Sequence, residues 1–212
     1  MVGSSLSKRG NIRPPTCSED DTMSAITCDG NKIQTYTGKV FDFNDIRPES
    51  IDMVDIAHAL SNVCRWGGHC SKFYSVAEHS VLCSYLAAQE FPEDKKLQFY
   101  TLMHDAGEAY IGDMPKPFKI MLSQYTDIEE KVEGAIQLAF VMDDYGDYKE
   151  QIKKYDLMLF KLERAQLFKD THFGPELEHI EMPVENLFLM NPQEAFAAFI
   201  ARAASCGEEF LD

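Results

Sequence analysis

From Ile51 onward the chain repeats one pattern: apolar residues recur at three- and four-residue spacing, in stretches several helical turns long, and glycine or proline closes each stretch. Such spacing lines up one face of an α-helix and does not suit strands. It predicts a helix capped by Asp52 and running to about Val63, followed by helices over 76–90, 95–109, 127–143, 148–169 and 193–205. Gly67-Gly68, Pro92, Pro115, Pro117, Gly146 and Gly174-Pro175 fall between them, where breakers belong. Residues 32–43 read differently. Their β-branched and aromatic residues alternate around Thr37-Gly38, which predicts a hairpin that caps the domain. The expected fold class is therefore all-α with a small N-terminal β-hairpin. Residues 1–25, rich in Ser, Pro, Asp and Arg without apolar periodicity, are expected to form a flexible extension, leaving 26–212 as a single domain.

The stripes are interrupted at specific places. Around Tyr155 one helical face carries Ile152, Asp156, Leu159, Phe160, Glu163 and Leu167, so two carboxylates point toward the core. A buried carboxylate is costly unless it is paired or binds a metal, and a lone aspartate there is more often half of an ion pair, here with Arg65 or Arg164. His79 sits in the stripe Val76, His79, Ser80, Cys83, Leu86, Ala87; alone, it would more often be a hydrogen-bonded core histidine than a ligand. The run LMHDAGEAYIGDMPKPFK places His104 and Asp105 side by side at the end of an apolar helix, with Glu108 one turn on. Two histidines and two carboxylates on separate helices of a bundle supply N and O donors suited to Zn, Mn, Co or Fe, with positions left for water and substrate.

Composition narrows the partners. Of 212 residues 45% are hydrophobic, enough for a core without disulfides or a structural metal. The formal charge of −15 disfavours nucleic-acid polymers, whose binding depends on Lys and Arg, but leaves room for a single nucleotide held by a metal ion and a few local cations. No apolar run approaches the roughly 20 residues of a membrane span, and no secretory-type stretch opens the chain. Cys17, Cys28, Cys64, Cys70, Cys83 and Cys206 form no CxxC pair and read as core residues or free thiols of a reducing, cytoplasmic protein.

The order His79, His104-Asp105, Asp156 resembles the H…HD…D signature of the HD-domain phosphohydrolase superfamily. The segments AEHSVLCSYLA and HDAGEAYIGDMPKPFK are similar to its YfbR-like 5′-deoxynucleotidase branch and to the related phage dATP triphosphohydrolases called DatZ. The similarity covers about residues 36–202. It implies an HD-domain helical bundle, a divalent transition metal (Co, Mn, Zn or Fe, with Mg accompanying a triphosphate) held by His79, His104, Asp105 and Asp156, and metal-activated attack on a phosphate ester. It further implies that Glu108 and Asp113 orient the attacking water and handle protons, although a helix cap explains Asp113 equally well. Arg65 and Trp66 match an Arg-Trp pair of the branch and are expected to hold phosphate or sugar and to wall the base; for the sole tryptophan, core packing serves as well. Lys119 and Lys153 are the expected phosphate contacts, with Lys116 and His69 as weaker candidates and His58 structural.

The expected activity is hydrolysis of a deoxynucleoside triphosphate, leaning to dATP, with release of the phosphate chain. The alternatives are 5′-deoxynucleotidase action on monophosphates and a non-catalytic module that binds a nucleotide. HD relatives commonly self-associate, which implies a homo-oligomer. No further histidine pair follows His104, since His172 and His179 stand in the segment with Gly174-Pro175; this departs from HD proteins with two-metal or di-iron sites.

Overall fold

The computed structural model describes residues 30–169 and 186–207. The expected extension, the segment with His172 and His179, and Cys17 and Cys28 lie outside the described residues, and the fold below belongs to the unit Asn31–Asp212. Strands β1 (Lys32–Gln34) and β2 (Val40–Asp42) pair antiparallel, with Ile33 opposite Phe41. Helices follow at α1 (Met53–Asn62), α2 (Val76–Glu90), α3 (Lys95–Met103), α4 (Glu108–Ile111), α5 (Lys116–Lys119), α6 (Ser123–Ala139), α7 (Tyr145–Leu167) and α8 (Pro192–Cys206). The fold is mostly helical with one small hairpin, as the periodicity requires. No described helix is long and apolar enough to cross a membrane.

Local chemistry sets the helix starts. Asp52 accepts the Val54 N–H, Ser75 the Glu78 N–H and Asp94 the Leu97 N–H, each satisfying a donor of the first turn. Asn191 and Glu194 form a reciprocal capping box on α8. The hairpin turn relies on Gly38, at φ +90°, and Asp55 of α1 grips its tip by accepting from the Thr37 amide at 2.6 Å and hydroxyl at 2.8 Å. Phe41, fully buried, stacks on Tyr110 of α4 at 4.3 Å. The hairpin thus closes the α1–α4 side of the domain.

Helix α2 lies at the centre, packed against α1, α3, α7 and α8. Its burial runs nearly all round, so the inner stripe expected from sequence is one side of a helix with almost no outer side. That enclosure requires partners for its polar residues. Glu78 accepts the amides of Leu189 and Met190, both at 2.8 Å, and so fixes the segment that enters α8. Arg202 of α8 donates to Ser84 Oγ, the Ser84 carbonyl and Gln98 Oε1, tying α8 to α2 and α3.

The expected helix over 95–109 does not run through. It ends at Met103, and residues 104–107 wind more tightly, with Ala106 N–H reaching Met103 O and Glu108 N–H reaching Asp105 O. In such i→i+3 winding, residues three apart eclipse one another, which turns Asp105 and Glu108 toward the same side. Helices α6 and α7 each begin a few residues before their expected starts, and α5 is an additional single turn within the PKPFK segment.

Candidate metal centre and pocket

Four side chains from α2, the 104–107 turn and α7 meet at one point. His79 Nε2 lies 3.3 Å from His104 Nε2, 3.6 Å from Asp105 Oδ2 and 3.3 Å from Asp156 Oδ1, and His104 Nε2 lies 3.2 Å from Asp105 Oδ2. The other ring nitrogens are engaged. His104 Nδ1 donates to Thr101 O at 2.7 Å, and His79 Nδ1 donates to Glu163 Oε1 at 2.6 Å. Those partners orient both rings with an Nε2 lone pair inward. Two lone pairs facing each other at 3.3 Å, flanked by two carboxylates, need a positive charge between them. A divalent ion fits this donor set, and a proton is its competitor.

The electrostatics match. Burial opposes ionisation of Asp105 and Asp156, yet the histidines, and for Asp105 also Arg65, hold both carboxyls below the ordinary range. Burial and Arg65 oppose protonation of His79, but Cys83, Glu163 and Asp156 outweigh them and hold the imidazole well above its usual value.

Glu163 is fully buried, and Arg65 bridges it to the cluster, donating to Glu163 Oε2 at 3.3 Å and to Asp105 Oδ2 at 3.2 Å. Burial raises the Glu163 carboxyl, but Arg65 and His79 bring it below its usual value, so it accepts as a carboxylate. Arg65, expected to bind substrate, holds two carboxylates of the centre, with 11% of its side chain exposed at the pocket wall. Of the two core-facing acids of α7, Glu163 takes the ion pair with Arg65, while Asp156, with its side chain 37% exposed, stands at the open side of the cluster. Sequence reasoning saw Glu163 facing inward and offered Arg65 as an ion-pair partner for such an acid, but it missed the bond from Glu163 to His79. Cys83, read as a small core residue, is a second omission: its Sγ lies 3.6 Å from His79 Nε2, and the donor atoms of His79, Cys83 and His104 all fall within 4.8 Å of one another.

The cluster forms part of the wall of a cavity of about 740 Å³, to which Asp105 and Asp156 contribute, with Trp66, Glu108, Asp113 and Lys119 around them. Trp66 adopts φ 61°, a left-handed conformation costly for an L-residue. Asp113 Oδ2 accepts its backbone N–H at 3.1 Å, and the ring packs between Phe160 and Phe168 at 4.8 and 5.0 Å. Asp113 therefore holds the Trp66 loop from its place at the cavity; it does not cap a helix. Gly67 and Gly68, both at positive φ, complete the same turn.

Glu108 Oε2 is buried with no hydrogen-bond partner. Burial, with Asp105 and Asp113 nearby, pushes its carboxyl well above the usual value. Lys119 lines the cavity, but Glu129 accepts from its ammonium at 2.5 Å. Lys153 is exposed on α7 and is not among the cavity-lining residues, whereas Lys116 and His69, the weaker candidates, are exposed at the cavity. His58, expected to be structural, stacks on Tyr36 at 3.7 Å, away from the centre. Cys64, Cys70, Cys83 and Cys206 are free thiols.

Fold and site together define a mostly helical protein with a His/carboxylate cluster, chemically suited to a metal ion, at the wall of a cavity of about 740 Å³. No family model matches the chain. It is 40% identical over 172 residues to YfdR of Escherichia coli (strain K12), covering 80% of this chain and 92% of that protein, and 32% identical over 178 residues to RCAP_rcc00048 of Rhodobacter capsulatus, covering 78% and 90%. The chain belongs to the family of these two proteins, both of which carry the description uncharacterized protein.

Proposed function

We propose that the protein is an HD-domain, metal-dependent phosphohydrolase acting on a deoxynucleotide. The observation that carries the proposal is the convergence of His79 Nε2, His104 Nε2, Asp105 Oδ2 and Asp156 Oδ1 within 3.2–3.6 Å contacts at the cavity wall. The nucleotide and its deoxyribose rest on the resemblance of HDAGEAYIGDMPKPFK and the Arg65-Trp66 pair to the YfbR-like branch.

A bound divalent ion would supply an acidified water and draw charge from a phosphoryl oxygen. Glu108, whose carboxyl burial pushes well above the usual value, would deliver a proton to the leaving oxygen, three residues from Asp105 and on the same side of the turn. Trp66 and Phe160 offer an aromatic wall to the base. Asp113 keeps that wall in place through the Trp66 amide.

The pairing of the cavity cations leans the reading toward the monophosphate. Lys119 is paired with Glu129 and Arg65 with Asp105 and Glu163, and Lys153 is not among the cavity-lining residues, so Lys116 and His69 are the exposed basic side chains there that a longer phosphate chain could meet. The experiment is a panel of deoxynucleoside mono- and triphosphates and ribonucleotides incubated with Co, Mn, Zn or Mg, with products separated chromatographically. Release of inorganic phosphate from dNMPs is expected. Release of an intact triphosphate would select the longer substrate, and no turnover with any metal would overturn the enzymatic proposal.

A further inference from the structure

Cys83 lies one helical turn beyond His79 on α2, and a His-x-x-x-Cys spacing puts both side chains on one face. Both residues are fully buried, so neither direction is set by solvent. The Cys83 sulfur is 3.6 Å from His79 Nε2, the nitrogen that faces the cluster, and within 4.8 Å of the His104 donor. A tetrahedral ion at about 2.0–2.1 Å from imidazole nitrogen and about 2.3 Å from sulfur separates those atoms by about 3.6 Å, and two imidazole nitrogens by about 3.4 Å. The observed separations are 3.6 Å and 3.3 Å. The thiol thus occupies a ligand's place beside the two nitrogens.

We infer that Cys83 is an inner-sphere ligand of the centre, so that a thiophilic divalent ion, Zn or Co, is its resident metal in preference to Mg or Mn. This rests on the metal reading of the cluster given above. On binding, a metal–sulfur bond forms, the S–H bond breaks and the proton passes to water, with no redox change. Soft thiolate discriminates strongly between these ions, whereas a site of histidine and carboxylate alone discriminates through geometry and availability. With His79, His104 and Cys83 at three corners of that tetrahedron, the fourth falls to a carboxylate of the centre or to water.

The test uses chelated full-length protein, its Cys83→Ser and Cys83→Ala variants, and titration with Co, Zn and Mg, with metal stoichiometry and near-ultraviolet absorption as readouts. Wild type should bind one Co with a thiolate-to-cobalt charge-transfer band. Cys83→Ser and Cys83→Ala should lose the band and weaken Zn binding by about 10–100-fold or more, at least the effect of removing an outer-shell partner, with Mg affinity unchanged. Thermal melting of the metal-free variants separates ligand loss from unfolding, since serine nearly conserves the volume. If Co binds wild type without the band, and the variants match its Zn affinity, the ligand role of Cys83 is overturned while the His/Asp centre stands. If neither Co nor Zn binds wild type, the metal reading and the inference fall together.

Discussion

Glu163 accepts the His79 Nδ1 proton at 2.6 Å across 84 residues of sequence, and this one bond fixes which imidazole nitrogen faces the centre. Arg65 balances the buried carboxylate and reaches Asp105 with its other arm, so one guanidinium holds one acid of the cluster and the residue that orients His79. A buried ion pair is weak evidence for stability but is costly to break from one side.

Removing either half of that pair should therefore do two separable things. Glu163→Gln keeps the shape but not the charge, and should weaken metal binding by about 10–100-fold with the fold retained. Glu163→Ala should destabilise the metal-free protein by about 3–5 kcal/mol, because Arg65 is left buried beside one carboxylate, and the double variant with Arg65→Met should recover part of that loss. Denaturant melts and metal titrations of the four proteins supply the check; unchanged metal affinity in Glu163→Gln would refute the orienting role.

His104→Ala and Asp105→Ala each delete a donor of the centre. Both variants should remain folded, lose bound metal on dialysis and lose phosphohydrolase activity. Full activity of either at low free metal would exclude the ligand assignment.

Glu108 carries a pH signature. Its carboxyl is raised in the folded state, so the folded protein holds this proton more tightly than the unfolded chain does. The associated stability is present below the unfolded value and is lost as pH rises through the folded one. Glu108→Gln, which cannot ionise, should melt above wild type in chelated protein at about pH 8, with the gap closing toward about pH 4, near the value of an unfolded glutamate. Its turnover should fall by something like 10²–10⁴-fold with metal content unchanged. A melting difference that does not vary with pH would remove the burial argument for Glu108.

The substrate-length proposal turns on Lys119. Glu129→Gln releases its ammonium into the cavity and should raise the ratio of dNTP to dNMP turnover roughly two- to fivefold, the scale of a partly exposed ion pair. Lys153→Ala, on the exposed side of α7, should change neither substrate. Steady-state kinetics on matched dATP and dAMP decides both, and a large loss in Lys153→Ala would bring that lysine into the site.

Arg202 tests the core. Replacing it with Ala strips donors from Ser84 and Gln98 inside the α2–α3–α8 packing and should cost about 2–4 kcal/mol in a denaturant melt. A loss below about 0.5 kcal/mol would show that water replaces the arginine there.

Sequence periodicity by itself determined the helical class, the hairpin around Thr37-Gly38 and the cap at Asp52, because each depends on residues within a few positions of one another. Polar residues on core-facing positions also marked His79, His104-Asp105, Asp156 and Glu163 as needing partners, and the family resemblance implied which four would hold a metal. Only the tertiary structure decided what those groups meet. Arg65 meets Asp105 and Glu163, Asp113 the Trp66 amide and Lys119 Glu129, all from the cavity wall, while Lys153 faces solvent. Each of those partnerships except Lys119–Glu129 and Lys153's exposure joins residues about 40 or more apart in sequence. Periodicity tells which face of a helix is inward; it does not tell which neighbour waits there, because that depends on how separate helices pack.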